Sequence, residues 1–246
     1  MLRMMVITAH PDDEASSFGG SLLLYRERGV ETSVVCLTSG QAATYRGGAR
    51  NDQELGEMRR KEFAAACDIL KVSQKIVLDY PDGQLQRLEM QRVVADLVLR
   101  IREFRPQVLL TFDPAGGVTA HTDHSMASIF ATLAFHWAGR TNRFSDQLEN
   151  GLTPHRAQKL YYATADFTLP GRQPVTLPPT TTVIEIGDRL DTKIEAFKAH
   201  TSQQPLWSVF EEHVRKRGRR ELFHLVAAVK ADSIAQESDL FAGVED

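Results

Sequence analysis

"VITAHPDDEASSFGG" occupies residues 6–20. It opens on apolar and β-branched residues and then breaks into His10, Pro11, Asp12, Asp13 and Glu14. Residues 4–9 read as a short buried strand. Beyond the acids, residues 17–28 carry Phe18, Leu22 and Tyr25 at helical spacing, and Gly29 stops them. A buried strand, a polar turn and a helix in immediate succession form the first unit of an α/β fold.

Outward from that unit the pattern repeats. "TSVVCLT" (32–38) is a continuous β-branched run, and "SGQAATYRGGARND" (39–52) is a Gly-rich polar loop. Residues 52–70 are helical, with Leu55, Met58, Phe63, Ala66 and Ile69 among the apolar positions. "KIVLDYPDG" (75–83) is a strand ending in a turn, and residues 85–104 are a helix closed by Pro106. "QVLLTFDP" (107–114) is a strand again, followed by a Gly-bearing loop and a helix over about 123–137. The alternation predicts a Rossmann-like α/β fold, an open and mostly parallel sheet with helices on both faces. The continuous apolar strands agree, because parallel strands are buried on both sides.

The C-terminal part is less regular. Residues 158–164 and 180–186 read as strands, with the Pro-rich "LPGRQPVTLPP" (169–179) looping between them. Residues 188–199 read as a helix and 222–229 as a last strand. No internal repeat or linker interrupts the chain, so residues 1–246 are expected to form one domain.

Composition narrows the class. The chain has 246 residues, of which 42% are hydrophobic, enough for one sizeable core. A net charge of -3 gives no basic field for nucleic acid. No run approaches the roughly 18 consecutive apolar residues of a membrane helix. "MLRMMVITAH" is too short and meets acids too soon for a secretory signal. A cytoplasmic protein without a membrane or nucleic-acid partner is expected, and a homo-oligomer stays open. Cys36 and Cys67 sit in apolar-patterned segments and read as buried thiols. "RKRGRR" (215–220) reads as a solvated face or loop, with an anion or subunit contact as the sharper alternative.

The chemistry lies in two clusters. In an open parallel sheet the ligand crevice lies outside the carboxyl ends of the strands. His10–Glu14 sits at that end of the first strand, without the G-x-G-x-x-G of a dinucleotide site. His10 and Asp13 are three apart around Pro11, so in a turn leading into a helix they can converge. An imidazole with a carboxylate suits Zn²⁺, or less selectively Fe²⁺ or another divalent ion. A catalytic site needs about three protein ligands, so another must come from elsewhere. "TAHTDH" (119–124), just past the fourth strand, supplies His121 and His124, one to complete the site and one for proton transfer. Read separately, each cluster could be no more than helix-capping or surface residues. Together, on one sheet edge, they point to a metal centre.

These residues resemble the LmbE-like, or PIG-L, de-N-acetylase family. Its A-H-P-D-D-E signature is matched by residues 9–14 and its H-x-D-H by residues 121–124. The likeness continues through "GG" (19–20), "LTSG" (37–40), the R-x-x-E helix in "EMRRKEFAAACDIL" (57–70), "YPDGQL" (80–85) and "KIEAFKAHTSQ" (193–203). Ala120, Thr122 and Ser125 depart from the frequent Gly-His-Pro-Asp-His-Arg, and Gln41 stands where a Glu is usual. Both departures lie near the expected substrate mouth.

The resemblance implies His10, Asp13 and His124 as zinc ligands and Asp12 as the general base. It implies His121 as general acid or oxyanion stabiliser, with Asp123 orienting its ring. Arg59 and Asp82 match substrate-contact positions, with Arg60 the competing choice to Arg59. Glu14 is expected to brace the loop, His200 to hold a fixed structural or wall position, and Ser202 and Gln203 to hold a loop. His136 and His155 are expected to be incidental, and Tyr45 and Trp207 to pack. The implied activity is removal of an N-acetyl group from an N-acetylglucosamine-type conjugate, a small amino-sugar substrate. The alternatives are an amidase of the same mechanism on a thiol-sugar conjugate or other small amide, and a non-catalytic nucleotide- or sugar-binding domain.

Overall fold

Four strand-helix units open the chain: β1 (Arg3–Thr8) and α1 (Asp13–Glu27), β2 (Glu31–Thr38) and α2 (Asp52–Ile69), β3 (Gln74–Tyr80) and α3 (Met90–Phe104), β4 (Val108–Thr111) and α4 (Thr122–Ala138). A short helix α5 (Ser145–Glu149) leads to β5 (Lys159–Thr164), β6 (Thr182–Glu185), α6 (Arg189–Lys198), α7 (Trp207–Lys216) and β7 (Arg220–Ala228). The computed structural model describes residues 1–169, 174–230 and 236–245. Residues 170–173 of the Pro-rich loop lie outside the described residues.

Among the described residues one sheet runs in the order β3-β2-β1-β4-β5-β7-β6. The pairings from β3 to β5 are all parallel, and β7 alone runs antiparallel to its neighbours β5 and β6. The sheet is thus mostly parallel, as the alternation predicts. Strand order reverses between β1 and β4, which is where an open α/β sheet leaves a crevice.

Alternate residues of β1 face opposite layers. Met4 and Val6 join Phe18 of α1, Phe63 of α2 and Ile194 of α6. Met5 and Ile7 join Leu97 of α3 and Phe130 of α4. Each such side chain stabilises by about 1.5–3 kcal/mol when fully buried. The close seat of α1 requires glycine at 20, where a Cβ would lie 2.6 Å from Ile186 and 2.9 Å from the Glu221 carboxylate.

Boundaries differ from the sequence pattern in ways with local causes. α1 starts at Asp13, because Asp13 and Glu14 suit the positive end of a helix. The helix expected over 85–104 divides into a 3-10 turn, Leu85–Arg87, and α3, with Leu88 and Glu89 extended between them. α7 is unanticipated: it has no buried residue, and only its inner side meets the protein, with Phe210 stacked on Phe197 at 3.9 Å. The basic run closes α7 and opens β7. Its members are matched by acids: Arg215 by Asp191, Lys216 by Glu212, Arg217 by Asp166 and Arg219 by Asp188. No helix among the described residues is long and apolar enough to cross a membrane.

Candidate active site

The turn between β1 and α1 is strained. Asp12 has φ 111°, a left-handed conformation that costs a non-glycine residue about 1–3 kcal/mol. The cost is offset by three anchors. Arg59 of α2, itself buried, donates to Asp12 Oδ2 at 2.8 Å, to Gly40 O at 3.0 Å and to Pro11 O. The Asp12 N–H donates to Glu14 Oε2 at 3.0 Å, and Glu14 Oε1 meets His200 Nε2 at 2.7 Å. Arg60 instead turns away from this turn, to Val77 O and Asp79. Glu62, the acid of R-x-x-E, accepts from Thr201 and Ser202 and holds the segment after α6.

Strain and anchors together set two adjacent carboxylates in opposite surroundings. Asp13 is buried and accepts from the Ala9 and His10 N–H groups at 3.1 and 2.8 Å. Its oxygens lie 3.7 Å from His10 Nδ1 and 3.2 Å from His124 Nε2. Burial alone would raise its pKa, but His124 and His10 hold it well below the usual carboxylate range. Asp12 lines the cavity. Burial pushes its carboxyl up, Arg59 draws it back, and the balance is about 6.

His10 faces two ways. Its Nδ1 points to Asp13, and its Nε2 lies 3.0 Å from Asp82 and 3.3 Å from Asp123. Burial would depress its pKa, yet the bonds to Asp123 and Asp82 raise it to about 10. Asp82 also accepts from Ala42 N at 2.9 Å, and Asp123 from Gly83 N at 2.7 Å and Leu85 N at 3.3 Å. The PDG turn therefore buttresses the second motif.

Asp123, expected behind the His121 ring, meets two histidines by different atoms. Its carboxylate serves His10, and it is the Asp123 backbone N–H that donates to His121 Nδ1, at 3.1 Å. His121 caps α4, which fixes the ring without a carboxylate behind it. Burial, with His10 and His124 close by, lowers its pKa. Arg59 and Asp82 border the cavity, and the bonds seen for both go to the protein: Arg59 to the turn between β1 and α1, Asp82 to His10 and Ala42. Tyr45 and Trp207 stand off the cavity wall, and Trp207 donates to His200 O at 3.2 Å.

Sequence reasoning missed three parts of the site. Phe112 stacks flat on His124 at 4.0 Å. Asp113 is buried and accepts from Ala115 and Gly117, shaping the loop before His121. Lys193 and Glu221 form a buried pair at 2.6 Å in the cavity lining. The apolar residue and acid ending "LLTFDP" were a usable signal for the first two. Nothing local marked Glu221.

The donor chemistry fits a divalent cation. Asp13 sits between two imidazoles, with Oδ2 3.7 Å from His10 Nδ1 and Oδ1 3.2 Å from His124 Nε2, nitrogen and oxygen donors of the kind zinc takes. Ligand atoms of His10, His121 and His124 also lie within 4.8 Å of one another, as do those of His10, Asp82 and Asp123. The latter two acids read better as the outer partners of a ligating histidine, whose second ring nitrogen commonly meets a carboxylate.

Comparison with known proteins sets this geometry in context. The chain is 27% identical to the mycothiol S-conjugate amidase of Streptomyces coelicolor, over all of this chain and 98% of that protein. Its fold matches N,N'-diacetylchitobiose deacetylase from Pyrococcus horikoshii with a TM-score of 0.78 and 24% identity, over 91% of this chain and 83% of the other. It also matches GalB, the 4-carboxy-2-hydroxymuconate hydratase of Pseudomonas putida, with a TM-score of 0.73 and 22% identity, over 96% of this chain and all of the other. A fold shared by a deacetylase and a hydratase does not name the chemistry. The family profile described as GlcNAc-PI de-N-acetylase, PIG-L, matches residues 5–135, and the chain belongs to that family.

Proposed function

We propose that this chain is a zinc-dependent N-deacetylase acting on an N-acetylglucosamine-type conjugate. The observation that carries the reading is the contrast between Asp12 and Asp13, adjacent acids on the cavity of which one lies between two histidines and the other is held through one oxygen by Arg59. His10, Asp13 and His124 would hold the ion. When bound, a zinc ion supplies Lewis acidity towards a carbonyl oxygen and a water.

The chain's own groups do the rest. Arg59 takes one oxygen of Asp12 and keeps that carboxylate out of the donor set, so the other oxygen is offered to the attacking water as general base. His121 accepts on Nδ1 from the backbone, so its neutral ring carries the proton on Nε2. That N–H donates to the carbonyl oxygen as charge develops there, and the proton Asp12 has taken from the water passes to the departing amine as the C–N bond breaks. Asp123 and Asp82 orient the His10 ring.

Acetate release from N-acetylglucosaminyl substrates tests the reading, with protein that is metal-replete, chelated and reloaded. Activity is expected to vanish on chelation and to return with zinc. A metal-replete protein that releases no acetate from any N-acetylamino sugar overturns it.

A further inference from the structure

The cavity over the catalytic turn extends well beyond it. Its volume is about 660 Å³, and it runs from His10 and Asp12 past Lys193 and Glu221 to α7. There its wall is Leu206, Val209, Phe210 and Val214, with Leu222 of β7 opposite. β7 is antiparallel and pairs Leu222 with Thr164, so it brings its first residues, rather than its last, to the site edge.

Among the described residues, the main polar side chains of this arm have partners within the protein. Glu221 accepts from Gly20 N, Ser21 N and Lys193 Nζ at 2.8, 2.8 and 2.6 Å. Arg217 donates to Asp166 at 3.1 Å and to His213 at 2.8 Å. Thr164 donates to Pro178 O at 2.7 Å. A second sugar or an inositol seated against Leu206, Val209, Phe210, Val214 and Leu222 would bury hydroxyls on apolar side chains, and unmet hydroxyls are costly. An alkyl or aryl group meets the wall at no such cost. Val209 is 65% exposed although it lines the cavity, so the arm displays apolar surface that a ligand would cover.

We infer that the substrate of this chain carries an alkyl or aryl group on its amino sugar, and that this group lies in the arm between α7 and the start of β7. The inference rests on the amino-sugar deacetylase reading above and names the substrate class within it.

Alkyl β-N-acetylglucosaminides from methyl to hexyl, used below their micellar concentrations, test it alongside diacetylchitobiose. kcat/KM is expected to rise by up to about fourfold per added methylene, the equivalent of about 0.8 kcal/mol, and hexyl is expected to exceed diacetylchitobiose. Val209→Asp, at an exposed position that tolerates a charge, is expected to cut the hexyl-to-methyl ratio at least fivefold. Phe210→Ser should act in the same direction. Equal kcat/KM for methyl and hexyl, or a preference for diacetylchitobiose, overturns the inference. Calorimetry with methyl and hexyl β-glucosaminide on the metal-loaded protein separates the two claims. If no glycoside is turned over, the deacetylase reading fails, and the arm then stands on tighter binding of the hexyl compound and falls if the two bind alike.

Discussion

The sheet from β3 to β4 and the C-terminal part around β7 meet at one edge but supply it differently. The four leading strands all run towards the site, so the loops that leave them deliver Asp12 and Asp13, Gly40, Asp82, and His121 and His124. β7 runs away from the site and offers its opening residues, with α6 and α7 closing the space beside them. Parallel strands put loop residues with reactive side chains at the crevice. The reversed strand and its helices put walls there. Chemistry and substrate choice should therefore separate by region.

The sharpest break of that division is Asp12→Asn. Asparagine tolerates the left-handed backbone of this position and keeps the shape of the acid, but it cannot act as a base. kcat is expected to fall by about 10²–10⁴-fold, the usual worth of a general base, with zinc affinity close to the parent and a lower melting temperature, because Arg59 keeps an acceptor but loses its countercharge. Acetate release and a metal titration on the same preparation check it. A variant that keeps near-parent turnover removes Asp12 from the chemistry and with it the contrast between the neighbouring acids.

Lys193→Met tests how the two regions are joined. Lys193 lies on α6, Glu221 on β7, and Glu221 also accepts from two N–H groups of α1. Removing the lysine leaves a buried carboxylate with its countercharge gone, which costs about 3–5 kcal/mol. Urea unfolding should show a lower midpoint with an unchanged slope. A loss below about 1 kcal/mol would mean that the pair behaves as a solvated one, and that packing between α1 and Ile186 carries the joint.

The same division explains what could be read in advance. The first motif is legible because His10 to Glu14 lie together in one turn at the end of a strand, and the alternating pattern alone places His121 and His124 on the same edge. Roles set by partners distant in the chain were not legible. Asp123 lies two residues from His121, so proximity in the chain suggested it behind that ring, yet its carboxylate reaches His10 across the crevice. Arg59 and Asp82, expected to contact substrate, do border the cavity, but their bonds to the turn and to His10 came from partners the sequence did not pair with them. In the C-terminal part the apolar pattern of a short strand does not encode its direction, whereas α7 does carry a legible stripe, Trp207, Phe210 and Val214 at helical spacing, packed on the core though none is fully buried. Glu221 is one acid in a run of charges until β7 is laid beside α1.

The smallest expected effect concerns the second link between the regions. His200 follows α6, Glu14 opens α1, and the two meet at 2.7 Å with both side chains fully buried. Burial lowers the histidine's pKa, but the Glu14 charge and hydrogen bond outweigh it, so His200 is raised above its ordinary 6.5. A histidine raised on folding binds its proton more tightly in the native state. Its contribution is then fully present below the unfolded value of about 6.5 and is lost as pH rises through the raised folded value. His200→Gln keeps a donor for Glu14 but carries no charge. The variant should be less stable than the parent by about 1.5 kcal/mol on the acid side, the lower range for a charge-assisted hydrogen bond. The gap should narrow steadily on the alkaline side. Chemical unfolding of both proteins between about pH 5 and 9 checks it. A gap that stays constant across that range would show a neutral His200, and the brace behind Asp12 would then be a hydrogen bond without an ion pair.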